Sequence, residues 1–593
     1  MIINSLIDYY DLMLESGEVP PIGWSRERIA WEFVIDDDGV LISVVSLEDD
    51  EHAFVFKDVP EHRAKTSGIK PFFLCDKAAI LLGRGTERNL KEHEASIEWH
   101  RAFLGGLADP GARAVLRFLE RGHDEDIISA CDNLEGNAVI RLLGDTCYVH
   151  ERSAIKSHWD GSRSEWTQSK KSAKAAKSSA EKRLIQCSVT GQIADSAVLF
   201  PMVTGVPHAQ SSGASLVSFN VDAFCSYGKS AKDQAANSCM SAEAAFKAGT
   251  ALRQLMRDKR HQVTLGLDKV LFWTEREDVG GLSDISLFLD LDAVRSEVKE
   301  DEVLLAKIEE RLKSIKEGRL SPGVDGDTRY YIMCVSPNKA RLSVRFFETG
   351  TIGSLEKRFG QYLRDIELEG ATDKVQPVRS YVYQAAPLAK AEDVPATMIA
   401  PVMRAILRGD TFPNSLYVQL LTRIRADKGY LPRKNGKKWD AMRLRVPMLK
   451  ACLLRSARLR NNQETERSLT VSLNEDNVNK GYVLGRLFAT LEKAQRDASD
   501  SEINSTIRDR YIGAASTTPA RVFPQLLRLA QHHVSKAEYG LFLEKSIETI
   551  MTKLDGNEGF PTTLSLQDQG QFYIGYYQQR EALYTKKTTT EEN

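Results

Sequence analysis

The chain has 593 residues, of which 42% are apolar and 27% charged, the composition of a soluble globular protein of about three or four domains. Lys and Arg number 80 and Asp and Glu number 82, so the net charge is −2, and uniform coating by nucleic acid is excluded; any polyanion site must be a local patch. No run of about 18 apolar residues exists to span a membrane.

The opening Met1-Ile2-Ile3-Asn4 has no basic, then apolar, signal pattern. The eight cysteines form no CxxC pair, which predicts a reducing, cytoplasmic setting. Leu6, Tyr9, Tyr10 and Met13 recur at helical spacing, and Pro20-Pro21 ends that helix. Two strands are expected at Trp31–Ile35 and Val40–Leu47, joined by the acidic turn Asp36-Asp37-Asp38-Gly39. Ser67–Asp76 reads as a loop entering a short apolar strand, and 87–130 as mostly helical. The Ser/Lys/Ala stretch 167–180 carries no apolar stripe and reads as a solvated linker, with a Lys cluster at 170–183.

Ser215–Asn220, Lys269–Thr274 and Ile285–Leu291 read as strands, and a helix runs from Ser241 to about Arg257. Tyr330–Ser336 and Arg341–Glu348 make the clearest hairpin, because Leu342, Val344 and Phe346 alternate with Arg341, Ser343 and Arg345. A helix with Leu355, Phe359, Tyr362, Leu363 and Ile366 on one face follows. From about 400 onward the pattern is helical, with Thr518-Pro519 as a helix start and Pro524 deep within that helix. The expected fold is α+β: a mixed N-terminal and central portion with antiparallel hairpins, then an all-helical C-terminal bundle. The expected domains are 1–183, 184–395 and 396–593.

Catalytic patterns are weak. Gly228-Lys229-Ser230 ends like a phosphate-binding loop, but Ala223 stands where the first glycine is required. One His123-Asp124 pair cannot build a two-metal site, and Asp36-Asp37-Asp38 reads more simply as a solvated turn than as a cation site. The reading is a non-enzyme without cofactor or metal.

Charge is more informative. Residues 403–460 hold fifteen Lys and Arg against three Asp, a net of +12. Arg423, Arg425, Lys428, Arg433, Lys434, Lys437, Lys438, Arg443 and Arg445 are candidates for a phosphate backbone, with Tyr430 and Trp439 placed to stack on bases. The alternative is a basic helical surface without a ligand. The uncharged loop Gly205–Ala214 offers Gln210, Ser211, Ser212 and Gly213 to base edges, or is a plain turn before a strand. Lys70, Phe72 and Phe73 form a cation beside two aromatics, a candidate wedge or else packed core.

A set of motifs, in order along most of the chain, carries a resemblance. They are Pro20-Pro21-Ile22-Gly23-Trp24-Ser25, Ser67-Gly68-Ile69-Lys70-Pro71, Cys187-Ser188-Val189-Thr190-Gly191-Gln192 and Ala209–Asn220 continuing to Ser226-Tyr227-Gly228. Gly481–Ala489, Asp509-Arg510-Tyr511, Ala514–Ala520 and Phe523-Pro524 complete it. The chain resembles the large, signature subunit of the subtype I-C CRISPR Cascade surveillance complex. The family pattern has Asn after the Pro of the 67–71 loop, where this chain has Phe72.

The resemblance implies a subunit at one end of a crRNA–protein filament. It recognises the PAM duplex beside double-stranded target DNA, promotes unwinding, stabilises the R-loop and displaced strand, and recruits a helicase–nuclease. Its implied partners are crRNA, target DNA, the Cascade backbone, crRNA-capping and small subunits, and that effector. Pairing would read the target while protein reads only the flank. The resemblance also implies that about 471–593 is small-subunit-like. With no Met between Met448 and Met551, an internal product would start at Met448 or earlier, or at a non-ATG codon. The rival readings are a general RNA-binding scaffold using the 330–348 hairpin and, less well supported, a metal-dependent nuclease.

Overall fold

The computed structural model describes residues 1–47, 55–62, 69, 71–122, 125–128, 135–166, 184–197, 199–206, 208–210, 213–226, 229–231, 237–265, 267–276, 285–297, 299, 301–319, 324–395, 398–432, 438–499, 505–554 and 559–584. They divide into two compact units. One comprises Met1–Val203 with Ser215–Gln254, and the other Thr204–Ala214 with Leu255–Asn593.

In the first unit the helix Ile2–Glu15 buries Leu6, Tyr9, Tyr10 and Met13, the four residues picked out by spacing. The hairpin around Gly39 is present, but its first strand begins seven residues earlier and spans Trp24–Ile35. Residues 24–29 of that strand pair with Val55–Pro60, and residues 31–35 with Leu41–Ser46. Its other side pairs in parallel with Asn137–Leu142, which in turn pairs with Cys75–Lys77. Gly39 has φ +75°, and a Cβ there would lie 2.5 Å from the Phe118 nitrogen. The turn therefore packs directly on the helix Pro110–Glu120, and only glycine fits it. Asp36 accepts from the Asp38 and Val40 amides, and Asp38 pairs with Arg117, so these carboxylates serve the turn. Phe33, Phe73, Leu104, Phe118, Ile140 and Trp159 form the core beneath the sheet.

In the second unit four antiparallel strands lie in sequence order: Gln262–Leu265, Asp268–Thr274, Arg329–Asn338 and Arg341–Thr351. A bulge at Arg345 breaks the alternation: Phe346 lies opposite Cys334 in the apolar core, while Leu342 and Val344, opposite Pro337 and Val335, lie on the other face. Two strand expectations fail. Residues 285–289 are helical, because a short run of wholly buried apolar residues looks the same in a strand and in a buried helix. At Ser215–Asn220 only Ala214–Ser215 is strand.

The helix Ile352–Ile366 follows the hairpin as expected, and the helices from Ile399 to Tyr584 share one apolar core with it. The α+β class with helices gathered toward the C-terminus is therefore as read. Pro519 opens the helix Pro519–Val534 at its first position and Pro524 sits within it. The helices Lys480–Asp497 and Leu566–Tyr584 touch backbone to backbone. A Cβ on Gly481 would lie 2.1 Å from the Asp568 carbonyl, one on Gly485 2.0 Å from that of Phe572, and one on Gly575 2.3 Å from that of Tyr482. That closeness buries Tyr482, Phe488, Phe572, Tyr573, Tyr576 and Tyr577 completely.

Candidate nucleic-acid interface

In the first unit, the loop that follows Val55–Pro60 returns to the sheet through Pro71–Cys75, and its return is tightly built. The buried Asp76 carboxylate accepts from the Phe72 amide at 2.7 Å and the Lys77 amide at 2.8 Å. The Leu74 amide donates to Nε2 of His100 at 3.0 Å, while Nδ1 of His100 donates to the Ser96 carbonyl at 2.7 Å. His100 is thus a neutral imidazole with its proton on Nδ1. Phe72 is half-buried and stacks on His62 at 3.9 Å.

Phe73 is 1% exposed and sandwiched against Trp159 at 4.9 Å and His100 at 5.1 Å. It is a core residue, and the wedge reading is corrected for it; of that trio, Phe72 is at the surface and Lys70 lies outside the described residues. So do His123-Asp124 and the Lys cluster of 170–183.

In the second unit the candidate loop Gly205–Ala214 is tied to the sheet at two points. Nζ of Lys269 donates to the Gly205 carbonyl at 2.9 Å, and the Gln210 amide to the Lys339 carbonyl at 3.3 Å. Within the loop, Ala209 donates to Val206 and Gly213 to Gln210. Lys269 is 8% exposed, and burial pulls its ammonium below the ordinary lysine value. A buried ammonium spent on one carbonyl is a structural tether. The result is an exposed Gln210 whose backbone is bonded to the sheet, with Gly213 buried; Ser211 and Ser212 lie outside the described residues.

Lys269→Met should release this tether. Hydrogen exchange at Ala209, Gln210 and Gly213 is expected to quicken about tenfold while the strand Asp268–Thr274 stays protected. Unchanged exchange would show that the loop holds itself.

The basic segment proves to be partly internal. Arg445 is fully buried, donating to Asp427 at 2.7 Å and to the Arg423 carbonyl. It cannot meet a phosphate, and its assignment is corrected. Lys450 donates to the Glu367 carbonyl at 2.9 Å, and burial brings its pKa down to about 8. Arg455 and Arg458 both reach Asp365, and Arg408 pairs with Glu348. Arg423 faces Asp427, and Arg425 donates to Gln569.

The aromatics are also engaged. Tyr430 lies 4.0 Å beneath the buried Arg508 guanidinium and accepts from it, and Trp439 packs against the core. Lys438 begins the strand Lys438–Asp440, and Arg433, Lys434 and Lys437 lie outside the described residues. Lys428 and Arg443 are the exposed members of the candidate set among the described residues.

Among the described residues no group of three or more His, Cys, Asp or Glu is arranged to hold a metal ion, and none of the helices is long and apolar enough to cross a membrane. The arrangement is an anchored polar loop in a unit whose helical part buries much of its own positive charge. The sequence matches the family described as CRISPR-associated protein (Cas_Csd1) over residues 6–584, and the chain belongs to that family. No curated protein matches it.

Proposed function

We propose that the chain is the large, non-catalytic subunit of a subtype I-C crRNA-guided Cascade complex, acting in the cytoplasm. In this reading it recognises the PAM duplex and stabilises the opened DNA, and a separate helicase–nuclease that it recruits does the cutting. Its other partners are crRNA and the backbone, capping and small subunits. Membership of the CRISPR-associated family supports the setting.

The observation that carries the flank-reading role is the loop Gly205–Ala214. It presents the exposed amide of Gln210, both donor and acceptor, from a doubly tethered backbone. Groove reading needs such preorganisation, since a mobile amide spends binding energy on being ordered. Lys428 and Arg443 supply backbone contacts, which position without specifying.

The test is binding of duplexes with randomised flanks by the assembled complex, with and without this subunit. Gln210→Ala should flatten discrimination between flanks by about 10- to 100-fold, the worth of one base-edge pair of about 1–3 kcal/mol. The salt dependence should hold steady. Intact discrimination in that variant would remove the loop from the site.

A further inference from the structure

The helix Pro519–Val534 contains no acidic residue. Its inner face, Val522, Phe523, Leu526 and Ala530, is buried in the bundle. Its outer face runs Arg521, Gln525, Arg528, His532, a spacing of 4, 3 and 4 that lines up one stripe, and the chain continues to Lys536 one turn on. All five are exposed.

Some exposed cations of this unit sit beside carboxylates, as Arg408 does beside Glu348 and Arg319 beside Glu317. Among the described residues Arg521, Arg528 and Lys536 have no such partner, and over 519–543 the one acid is Glu538. Arg521 also stands in the first helical turn, where a cation opposes the helix dipole, so its charge does not serve the helix.

Three residues beyond Lys536 begins a cluster of exposed apolar side chains: Tyr539 at 63%, Leu541 at 69% and Phe542 at 60%. Leu529, exposed beside Arg528, extends the cluster along the stripe. Cations in a row leading to exposed aromatic rings are the combination that holds unpaired nucleotides, phosphates on the charges and bases on the rings. A duplex would gain nothing from the rings, because its bases are already stacked.

We propose that the outer face of Pro519–Val534, with Tyr539 and Phe542 at its end, binds single-stranded nucleic acid. Arg521 to His532 spans about 16 Å, room for about five nucleotides of one strand. This rests on reading the chain as a nucleic-acid-binding subunit, and it places the strand on residues outside both the flank-reading loop and the 403–460 segment.

The test uses the full chain with fluorescent oligothymidylate and a duplex of equal length, titrated across salt. Arg521→Gln, Arg528→Gln and Lys536→Gln together should make the salt slope for the single strand shallower by about 2 units. Tyr539→Ala with Phe542→Ala should weaken single-strand binding about 10- to 100-fold or more and leave the slope alone. Duplex binding should change little in the aromatic variant.

An unchanged slope overturns the stripe. Unchanged affinity in the aromatic variant, or equal loss for strand and duplex, overturns the single-strand assignment. Surface positions keep the fold, which matching thermal melting curves check. Adding a guide RNA as competitor separates an RNA occupant from a DNA one. If Gln210→Ala keeps its flank preference while the stripe variant loses slope, the loop reading fails and this surface stands.

Discussion

Asp365→Ala is expected to destabilise the second unit by about 3–5 kcal/mol, because it strands a buried cation. Asp365 is 1% exposed near the end of the helix Ile352–Ile366. Its carboxylate takes Arg458 at 2.9 Å, Arg455 at 3.4 Å and the Gln361 amide at 2.9 Å. Arg455 is itself buried, and without Asp365 it keeps only the carbonyls of Ala405 and Asp410 and the face of Phe412. Urea unfolding should show the change in one transition, with that of the first unit unmoved. Arg458→Ala removes the more exposed arm of the same cluster and should cost far less. A loss under about 1 kcal/mol for Asp365→Ala would mean that Arg455 is satisfied by its carbonyls alone.

Acid should open the first unit before the second. Burial pushes His100 and His150 each down to about 4 from the ordinary 6.5. Below pH 6.5 the unfolded chain takes up protons that the folded unit refuses, so stability falls from that point and levels off below about 4. By pH 5 each histidine should have removed about 2 kcal/mol. Protonating His100 would also set a hydrogen on Nε2 against the Leu74 amide, pulling at the loop that carries Phe72. His150, stacked on Tyr148, can be replaced by an uncharged ring. His150→Phe should roughly halve the fall in the urea midpoint between pH 7.5 and 5. A midpoint equally steep in pH in that variant would assign the acid lability elsewhere.

Much of the fold was readable because the patterns were local. The 329–351 hairpin declares itself by alternation, and the 352–366 helix by its stripe. What escaped was whatever depends on distant partners. The +12 of 403–460 was counted without Asp365, Glu348 and Glu466, which lie outside that span and neutralise part of it. Arg445 and Lys450 look like surface charges in any linear reading, yet the helix Met442–Leu459 is buried nearly all round. Phe73 was ambiguous for the same reason, since its stacking partners Trp159 and His100 are far along the chain. The Pro519–Val534 stripe was legible in principle from its spacing and lack of acids.

The glycine contact between Lys480–Asp497 and Leu566–Tyr584 bears on how the protein is made. The second helix is complete 87 residues after the first (584 − 497), a delay of roughly 4 to 17 seconds at about 5–20 residues per second. Throughout that interval Tyr482, Phe488 and their neighbours wait without the ring cluster of Phe572, Tyr573, Tyr576 and Tyr577 that will cover them. A chain stalled or cut before Leu566 therefore shows this apolar groove to chaperones and proteases. Closure of this groove is timed by the later of its two helices.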